Sequence, residues 1–255
     1  MLYLIGLGLK PSHLTIEALE AIKKCDSVFL ETYTSQYAQG FTKDLKELIG
    51  RDFLELGRKG VEENFESALL SASSNNIALL VFGNPLTATT HIQLLLDAKE
   101  KGIKTKVIPG ISITNFVAES GLDEYKFGRT VTICYHAPNY EPDTFYKQIL
   151  ANQKIGLHTL CLLDIKKDET PQRMMNAIEA IEVLEKIAGK EKKKTVKKKG
   201  FEYVALMGMG SEKQKILNGE KNIREFKEIH YIFPQSLIVL GKTNEKEKEA
   251  LEKLH

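Results

Sequence analysis

Two closely spaced glycines, Gly6 and Gly8, follow a short apolar run near the start of the sequence. In the pattern G-x-G-x-x-G after a strand, such glycines let the backbone bind the pyrophosphate of a dinucleotide. The third glycine of that pattern would occupy position 11, where the sequence has Pro11. Glu31 ends a later apolar run, about where an acidic residue would bind a ribose hydroxyl. The nucleotide-binding pattern is therefore incomplete, and a dehydrogenase stays open as an alternative.

The cysteines and histidines show no pattern for metal binding. Cys25, Cys134 and Cys161 are widely spaced and form no C-x-x-C pair. Each lies in or beside an apolar run, which favours a role as a small core residue in a reducing compartment. The six histidines are also scattered, so the sequence predicts no metal site.

The composition is that of an ordinary globular protein. The chain has 255 residues, 42% of them hydrophobic and 27% charged, which is enough for one large domain or two smaller ones. A net charge of +2 gives no reason to expect a nucleic acid partner. The longest clean apolar run, IALLVF, is too short to span a membrane, and the first residues lack the basic region of a signal peptide. We therefore expect a cytoplasmic protein.

Short apolar runs at regular intervals predict β-strands with helices between them. In the first half of the chain they are LYLI (2–5), SVFL (27–30), DFLEL (52–56), IALLVF (77–82) and KTKVI (104–108). In the second half they are RTVTICY (129–135), HTLCLLDI (158–165), YVALM (203–207) and SLIVL (236–240). Such alternation is typical of the α/β class, with a mainly parallel sheet covered by helices.

The first helix has clear signals at its start. Thr15 has the hydroxyl of an N-cap residue, and Leu14 and Leu19 stand at the positions of a hydrophobic staple. These signals place the helix after residue 15. Pro11 is therefore expected in the loop before the helix.

The stretch PGISITNFVAESG (109–121) separates the two series of strands. Its two glycines suit a crossover between domains. We expect the boundary near residue 112, with a parallel α/β domain over 1–112 and a mixed α/β domain over 113–255.

A lysine-rich run, GKEKKKTVKKKG (189–200), lies in the second half. A nucleic-acid patch would ordinarily interleave aromatic residues or arginines, and this run has neither. The run is typical of a solvated loop, although a ribosome-associated binding module that uses residues 190–199 stays an alternative.

Three predicted strands end in unusual segments: GLGLKPS after the first, FGNPLTATTH (82–91) after the fourth and PGISIT (109–114) after the fifth. Each places Gly, Pro, Ser or Thr directly beside the strand. In an open parallel sheet, ligands bind outside the carboxyl ends of the strands. These segments therefore predict a ligand pocket at one edge of the first sheet.

Six stretches, in order along the chain, resemble the tetrapyrrole-methylase-like S-adenosylmethionine methyltransferases. They are MLYLIGLGL, SVFLETYTS (27–35), FGNPLTATTH (82–91), YKFGRTVTI (125–133), GLHTLCLLDIK (156–166) and QSLIVLGK (235–242). The resemblance covers nearly the whole chain. It implies a homodimer of two-domain α/β subunits, with S-adenosylmethionine in the cleft between the domains and with glycines that let the backbone approach it.

The resemblance is to the branch of the family that acts on translation elongation factor 2. It implies repeated methylation of the amino group of a 3-amino-3-carboxypropyl side chain on one histidine of that factor, a step of diphthamide biosynthesis. The number of methyl groups, and methylation of a carboxylate in addition, are not specified by the sequence.

The resemblance also implies the residues that bind the cofactor. They are Leu9, Asn84, Thr87, Ser112, Ile113, Leu163, Met207 and Gln235. The apolar members would surround the adenine and thioether, and the amides and hydroxyls would orient the ligand. Two positions depart from the family pattern, which usually has aspartate at the position of Asn84 and often histidine at that of Gln235.

The residue that removes the proton from the amine is not evident from the sequence. Glu31, Tyr33 and His136 lie in segments that could face a cleft, and we assign none of them a catalytic role. A methylase acting on carbon atoms of a precorrin is a further alternative. Its substrate carries many carboxylates and would favour a cleft rich in arginine, whereas this chain has five arginines, all scattered.

Overall fold

The structure is a computed structural model that describes residues 1–192 and 200–255, without the side chains of residues 191 and 192. The chain divides into two compact units. The first unit comprises Met1–Ile113 and Ile165–Arg173, and the second comprises Thr114–Asp164 and Met174–His255. The predicted domain ranges, 1–112 and 113–255, stay a prediction.

The first unit contains a five-stranded sheet in which every neighbouring pair of strands is parallel. The strands are β1 (Leu2–Gly6), β2 (Ser27–Glu31), β3 (Leu54–Leu56), β4 (Ile77–Val81) and β5 (Thr105–Ile108), and their spatial order is β3-β2-β4-β1-β5. Parallel neighbours require crossover connections, and helices supply them. These helices are α1 (Ile16–Lys23), α2 (Thr42–Ile49), α3 (Arg58–Glu62), α4 (Glu66–Ser71) and α5 (Ile92–Glu100).

The two faces of this sheet are both buried, because the crossover helices cover both of them. Every residue of β4 is buried, which explains the continuous apolar run IALLV. Alternate residues of the strand enter two different core clusters: Ala78 and Leu80 enter one, and Ile77 and Leu79 enter the other. The predicted α/β fold class is confirmed.

Helix α1 begins as the sequence predicts. The Thr15 hydroxyl oxygen accepts a hydrogen bond of 3.1 Å from the backbone N–H of Ala18, and the helix starts at Ile16. Pro11 lies before it and opens a separate single-turn 3-10 helix, Pro11–His13. This short turn belongs to the loop that follows β1.

The second unit contains a mixed five-stranded sheet. Its strands are β6 (Val131–Ile133), β7 (Thr159–Leu163), β10 (Tyr203–Met207), β11 (Lys215–Asn218) and β12 (Gln235–Val239), in the spatial order β11-β10-β12-β7-β6. Only β6 and β7 are parallel neighbours in it. Between β7 and β10 lie two short strands that pair with each other, β8 (Ile165–Lys166) and β9 (Arg173–Met174). The helices of this part of the chain are α6 (Thr144–Lys154), α7 (Ala177–Lys192), α8 (Glu220–Glu225) and α9 (Glu245–Lys253).

The main core of the second unit lies between its sheet and helices α6 and α7. Ile149 of α6 and Leu184 of α7 are fully buried there, together with Cys161 and Leu237 of the sheet. Cys161 and Cys25 are buried free cysteines, as predicted, whereas Cys134 is half-buried.

Helix α7 continues to Lys192 and so includes the first residues of the lysine-rich run. The prediction of a loop is therefore wrong for those residues. They extend a helix whose apolar face is buried in the core and which is stabilised by that burial. Residues 193–199 of the run lie outside the described residues. Of the described helices, none combines the length and the apolar composition that a membrane crossing requires.

Candidate functional site

Three glycines, at the end of β1 and in the loops after β4 and β5, meet at the carboxyl edge of the first sheet. A Cβ atom on Gly6 would lie 2.4 Å from the backbone nitrogen of Gly110 and 2.7 Å from the carbonyl oxygen of Gly83. A Cβ atom on Gly110 would lie 2.2 Å from the same oxygen. Real Cβ atoms do not approach backbone so closely, so these positions require glycine. The structure therefore brings together the loops after β1, β4 and β5, as the sequence predicts.

The loops after β1 and β4 are also joined by a pair of hydrogen bonds. Gly8 N donates to Gly83 O at 3.1 Å, and Gly83 N donates to Gly8 O at 2.9 Å. Both glycines have positive φ, +72° for Gly8 and +73° for Gly83, which other residues rarely adopt. A Cβ on Gly8 would also lie 2.3 Å from the Cβ of His13. Packing within the protein thus explains the glycine pair Gly6 and Gly8, and the approach of a cofactor to it stays a prediction.

Asn84 lies in the loop after β4 and forms its turn. Its side-chain Oδ1 accepts a hydrogen bond of 3.1 Å from Leu86 N, and its carbonyl accepts one of 3.2 Å from Thr87 N. An amide oxygen has two lone pairs, so the side chain of Asn84 keeps acceptor capacity for a ligand. Asn84 and Thr87 are both half-exposed at this edge.

The other predicted residues of the first unit surround the same edge. Leu9 is buried in the loop after β1, where its carbonyl accepts a bond of 2.8 Å from Ala38 N. Ser112 is buried and Ile113 half-buried in the loop after β5. The Ser112 Cβ lies 3.9 Å from the position that a Cβ on Gly83 would take. The predicted residues of the first unit thus lie on the three loops that meet at this edge.

The three predicted residues of the second unit lie at one end of its sheet. Met207 on β10 is the register partner of Gln235 on β12. Ser236 on β12 is the partner of Leu162 on β7, so Leu163 lies at that end as well. Leu163 and Met207 belong to the buried core of the unit. Their burial agrees with a packing role, and contact with a ligand stays a prediction.

Gln235 is buried and uses its side-chain amide within the protein. The oxygen accepts a bond of 2.8 Å from Ala177 N, the first residue of α7. The nitrogen donates bonds of 2.5 Å to Ile229 O and 2.9 Å to Ile232 O. Gln235 therefore satisfies one of the free backbone donors at the start of α7 and joins it to the segment before β12. The sequence does not reveal this structural role.

Glu31, the acidic residue of the incomplete dinucleotide pattern, is fully buried. One carboxylate oxygen accepts bonds of 2.5 Å from Tyr33 N and 2.7 Å from Thr34 N. The other oxygen accepts a bond from the Thr34 hydroxyl. Glu31 thus holds the loop that follows β2, and its burial leaves it unable to bind a ribose.

A chain of polar contacts continues from this loop. The Tyr33 hydroxyl donates a bond of 3.2 Å to Glu62, and the Arg58 guanidinium lies 4.6 Å from the centre of the Tyr33 ring. Arg58 Nε also donates a bond of 2.6 Å to Asp168. Burial, with the carboxylates of Glu31 and Glu62, raises the pKa of Tyr33 well above its usual range. Tyr33 is thus a neutral hydrogen-bond donor in a structural network, and this network attaches the segment Ile165–Arg173 to the first unit.

His136, the third residue considered from the sequence, also bonds to its own neighbourhood. Its Nε2 lies 3.2 Å from the Pro142 carbonyl oxygen. The proton acceptor of a reaction therefore stays unassigned. No group of three or more His, Cys, Asp or Glu side chains that could hold a metal ion occurs within residues 1–192 and 200–255.

A groove of about 880 Å³ lies on the first unit beside helices α3, α4 and α5. Its acidic lining residues are Glu62, Glu63, Glu66, Asp97 and Glu100. None of the eight predicted cofactor-binding residues lines it. The groove is thus distinct from the glycine-rich edge of the sheet.

Comparison with known proteins gives one consistent result. The model of the family Tetrapyrrole (Corrin/Porphyrin) Methylases matches residues 1–221. The diphthine synthase of Methanocaldococcus jannaschii is 37% identical over 258 residues, which cover 100% of this chain and 98% of the relative. The diphthine methyl ester synthase of Saccharomyces cerevisiae is 38% identical and covers 95% of this chain and 85% of the relative. A crystal structure of diphthine synthase superimposes with a TM-score of 0.83 at 31% identity and covers 99% of this chain and 95% of that chain.

Proposed function

The chain belongs to the tetrapyrrole methylase family, and from that premise we propose that it is an S-adenosylmethionine-dependent methyltransferase of diphthamide biosynthesis. The observation that carries the proposal is the similarity over the full length to the diphthine synthase of M. jannaschii. The yeast diphthine methyl ester synthase supports it independently.

The proposed substrate is translation elongation factor 2. The enzyme methylates the amino group of a 3-amino-3-carboxypropyl side chain carried by one histidine of that factor and repeats the transfer to give diphthine. The relatives carry two names, diphthine synthase and diphthine methyl ester synthase. These names differ by methylation of a carboxylate, so the product of this chain has to be determined by mass.

The residues of the first unit fit a cofactor with an amino acid part and a nucleoside part. Asn84 keeps a free lone pair on an amide oxygen that its own turn fixes in position. Thr87 adds a half-exposed hydroxyl, and Leu9 and Ile113 add apolar surface at the same edge. We propose that these residues bind S-adenosylmethionine together with Ser112, and that Leu163, Met207 and Gln235 of the second unit complete its binding site.

S-adenosylmethionine supplies the methyl group, which an amine accepts in a direct in-line displacement. The protein then has two tasks, to align the amine with the methyl group and to exclude water from them. The loops after β1, β4 and β5 suit the first task, because a shared glycine contact holds the three together and paired hydrogen bonds join the first two. The amine has to lose its ammonium proton before each transfer, to water or to a base.

A precorrin methylase is less well supported. Many carboxylates on its substrate would require free arginines, and at least four of the five arginines in this chain interact with other groups of the protein. Arg51 donates to the carbonyls of Ile22 and Cys25, and Arg58 pairs with Asp168. Arg224 pairs with acidic residues near helix α8.

Two further properties are proposed from the resemblance. We propose that the enzyme is a homodimer and that it acts in the cytoplasm, where elongation factor 2 works in translation. We propose no membrane partner and no direct nucleic acid partner.

The test of the function is a transfer assay with intact-mass detection. The protein is incubated with labelled S-adenosylmethionine and with elongation factor 2 that carries the unmethylated side chain. We expect label in the factor and a mass increase that corresponds to a whole number of methyl groups. The control is the same factor with its modified histidine replaced. Absence of transfer to the factor, with a protein that is folded and binds S-adenosylmethionine, would contradict the proposed substrate.

A further inference from the structure

Lys167 lies in the segment Ile165–Arg173, which belongs to the first unit. The side chain is half-buried. Its ammonium donates one long hydrogen bond, 3.4 Å, to Ser35 O and lies 5.9 Å from the centre of the Phe82 ring. These contacts place a positive charge between the ends of strands β2 and β4.

Within the part of the chain that the structure describes, Lys167 has no carboxylate partner, unlike the cations beside it. Lys166 pairs with Glu169 at 2.6 Å, and Arg58 pairs with Asp168 at 2.6 Å. Among the described residues, Lys167 forms no such ion pair. An ammonium has three N–H donors, and a single long bond to a carbonyl leaves two of them available to water or to a ligand. An anionic ligand that replaces the water would form a stronger, charge-assisted hydrogen bond.

The surroundings of Lys167 also shift its pKa. Burial lowers the pKa of Lys167, and the nearby carboxylates of Glu31 and Glu55 oppose this shift. Both carboxylates act on Lys167 through their charge and not through a hydrogen bond, and Glu31 accepts its hydrogen bonds from the loop after β2.

The position of Lys167 is at the edge where a ligand is expected. Phe82 directly precedes Gly83, which belongs to the contact of three glycines, and Asn84 follows. Ser35 lies in the loop after β2. In an open parallel sheet, ligands bind outside these strand ends. An ammonium at this place can form a charge-assisted hydrogen bond with an anionic group of the ligand.

We propose that the Lys167 ammonium binds the carboxylate of an amino acid group at this edge of the sheet. The proposal rests on the proposed function, in which both reactants carry such a group. The cofactor has the carboxylate of its methionine part, and the substrate has that of its carboxypropyl side chain. The two sources have the same chemistry, and binding measurements distinguish them.

The experiment compares Lys167→Met and Lys167→Arg with the matched control Lys166→Met, in the full-length protein. The Kd of S-adenosylhomocysteine is measured by calorimetry, and the KM of elongation factor 2 is measured at saturating S-adenosylmethionine. Loss of one charge-assisted bond weakens binding by about tenfold or more. We expect this loss in Lys167→Met for one of the two ligands, a change of less than about threefold in Lys167→Arg, and none in Lys166→Met.

The pattern of effects identifies the source of the carboxylate. If Lys167→Met raises the Kd of S-adenosylhomocysteine, while decarboxylated S-adenosylmethionine binds equally to the wild type and to this variant, Lys167 binds the carboxylate of the cofactor. An unchanged Kd with a higher KM for elongation factor 2 indicates the substrate. Both results support the proposal.

Two other results separate this proposal from the proposed function. If Lys167→Met has the wild-type Kd and KM and the wild-type protein transfers methyl groups, the carboxylate site is wrong and the enzyme assignment stands. If the wild type neither binds S-adenosylhomocysteine nor transfers methyl groups, both proposals are wrong. Lys167→Gln, a polar neutral variant, replaces Lys167→Met if the latter has a lower melting temperature than the wild type.

Discussion

The Nε2 atom of His158 lies 3.0 Å from Oε1 of Glu247, and both side chains are buried in the second unit. Gly241 N donates a bond of 2.9 Å to His158 Nδ1, so Nδ1 is an acceptor and Nε2 carries the proton that Glu247 accepts. Glu247 also accepts bonds from the backbone N–H groups of Asp123 and Asn244. This arrangement fixes the start of helix α9 on the rest of the unit.

The His158–Glu247 pair predicts that stability decreases in acid. Burial lowers the pKa of His158 below its ordinary value of 6.5. As the pH is lowered, this histidine is therefore protonated at a higher pH in the unfolded chain than in the folded one, and stability falls as the pH drops below about 6.5. Burial alone would raise the pKa of Glu247, but bonds from Lys126 and from backbone N–H groups lower it from 4.5 to about 2. A second loss of stability is therefore expected as the pH falls from about 4.5 to about 2, where Glu247 is protonated in the unfolded chain but still charged in the folded one. Melting temperatures measured from neutral to acidic pH test both steps. His158→Gln should make the first step smaller, and the part that remains is expected from His13, whose pKa is also lowered by burial and by Lys10. Parallel curves for the wild type and this variant would contradict the assignment.

Gly110→Ala should destabilise the first unit. The added Cβ would lie 2.2 Å from Gly83 O, and rigid backbone on both sides cannot move away easily. We expect a loss of about 2 kcal/mol or more in the free energy of unfolding, measured with urea. Gly57→Ala is the control, because a Cβ there has no atom within 4 Å. Equal stability of the two variants would show that the three loops do not pack as described.

Gln235→Leu should destabilise the second unit by about 2–4 kcal/mol, because it leaves one buried backbone N–H and two buried carbonyls without this partner. The control is Gln93→Leu, because the Gln93 side chain is exposed and bonds to Asp97 on the same helix face. Urea unfolding measures both variants. A loss for Gln235→Leu no larger than for the control would mean that Gln235 has no structural role, and would leave its predicted contact with the cofactor as its main function.

Substitutions of Asn84 test the cofactor site. Asn84→Asp should tighten binding of S-adenosylmethionine by about 0.5–1.5 kcal/mol, since a carboxylate accepts a stronger, charge-assisted bond. Asn84→Ala should weaken binding by about 1–2 kcal/mol, and it also removes the bond to Leu86 N. Calorimetry at one salt concentration measures both, with melting temperature as the control for the turn. Wild-type binding by both variants would mean that Asn84 only shapes the turn.

Replacement of residues 190–199 by a Gly/Ser linker should leave methyl transfer within a few-fold of the wild type. The run is lysine-rich and has little apolar content to pack. The transfer assay on elongation factor 2 measures the effect, and circular dichroism controls for folding. Complete loss of transfer in a folded variant would show that the run binds the substrate.

The sequence by itself determined where most strands lie. All nine predicted apolar runs overlap a strand of the two main sheets, and most of these strands are buried, which requires apolar residues. Strand β11 (Lys215–Asn218) was not predicted. It pairs with β10 at the edge of its sheet and none of its four residues is fully buried, so its sequence contains no apolar run longer than two residues.

The side-chain partners were decided by the tertiary structure alone. The sequence shows that Gly6, Gly83 and Gly110 follow strands. It does not show that their backbones pack so closely that a Cβ atom on Gly6 or Gly110 would overlap the other glycines. It shows an acidic residue at Glu31, but not that the loop after β2 uses both of its oxygens. It likewise cannot show that Lys166 pairs with a carboxylate while Lys167 finds none among residues 1–190 and 200–255. The burial of a strand is visible in its own residues, because a buried strand has to be apolar. A hydrogen bond or an ion pair between side chains often joins residues that are distant in the chain and become neighbours only after folding.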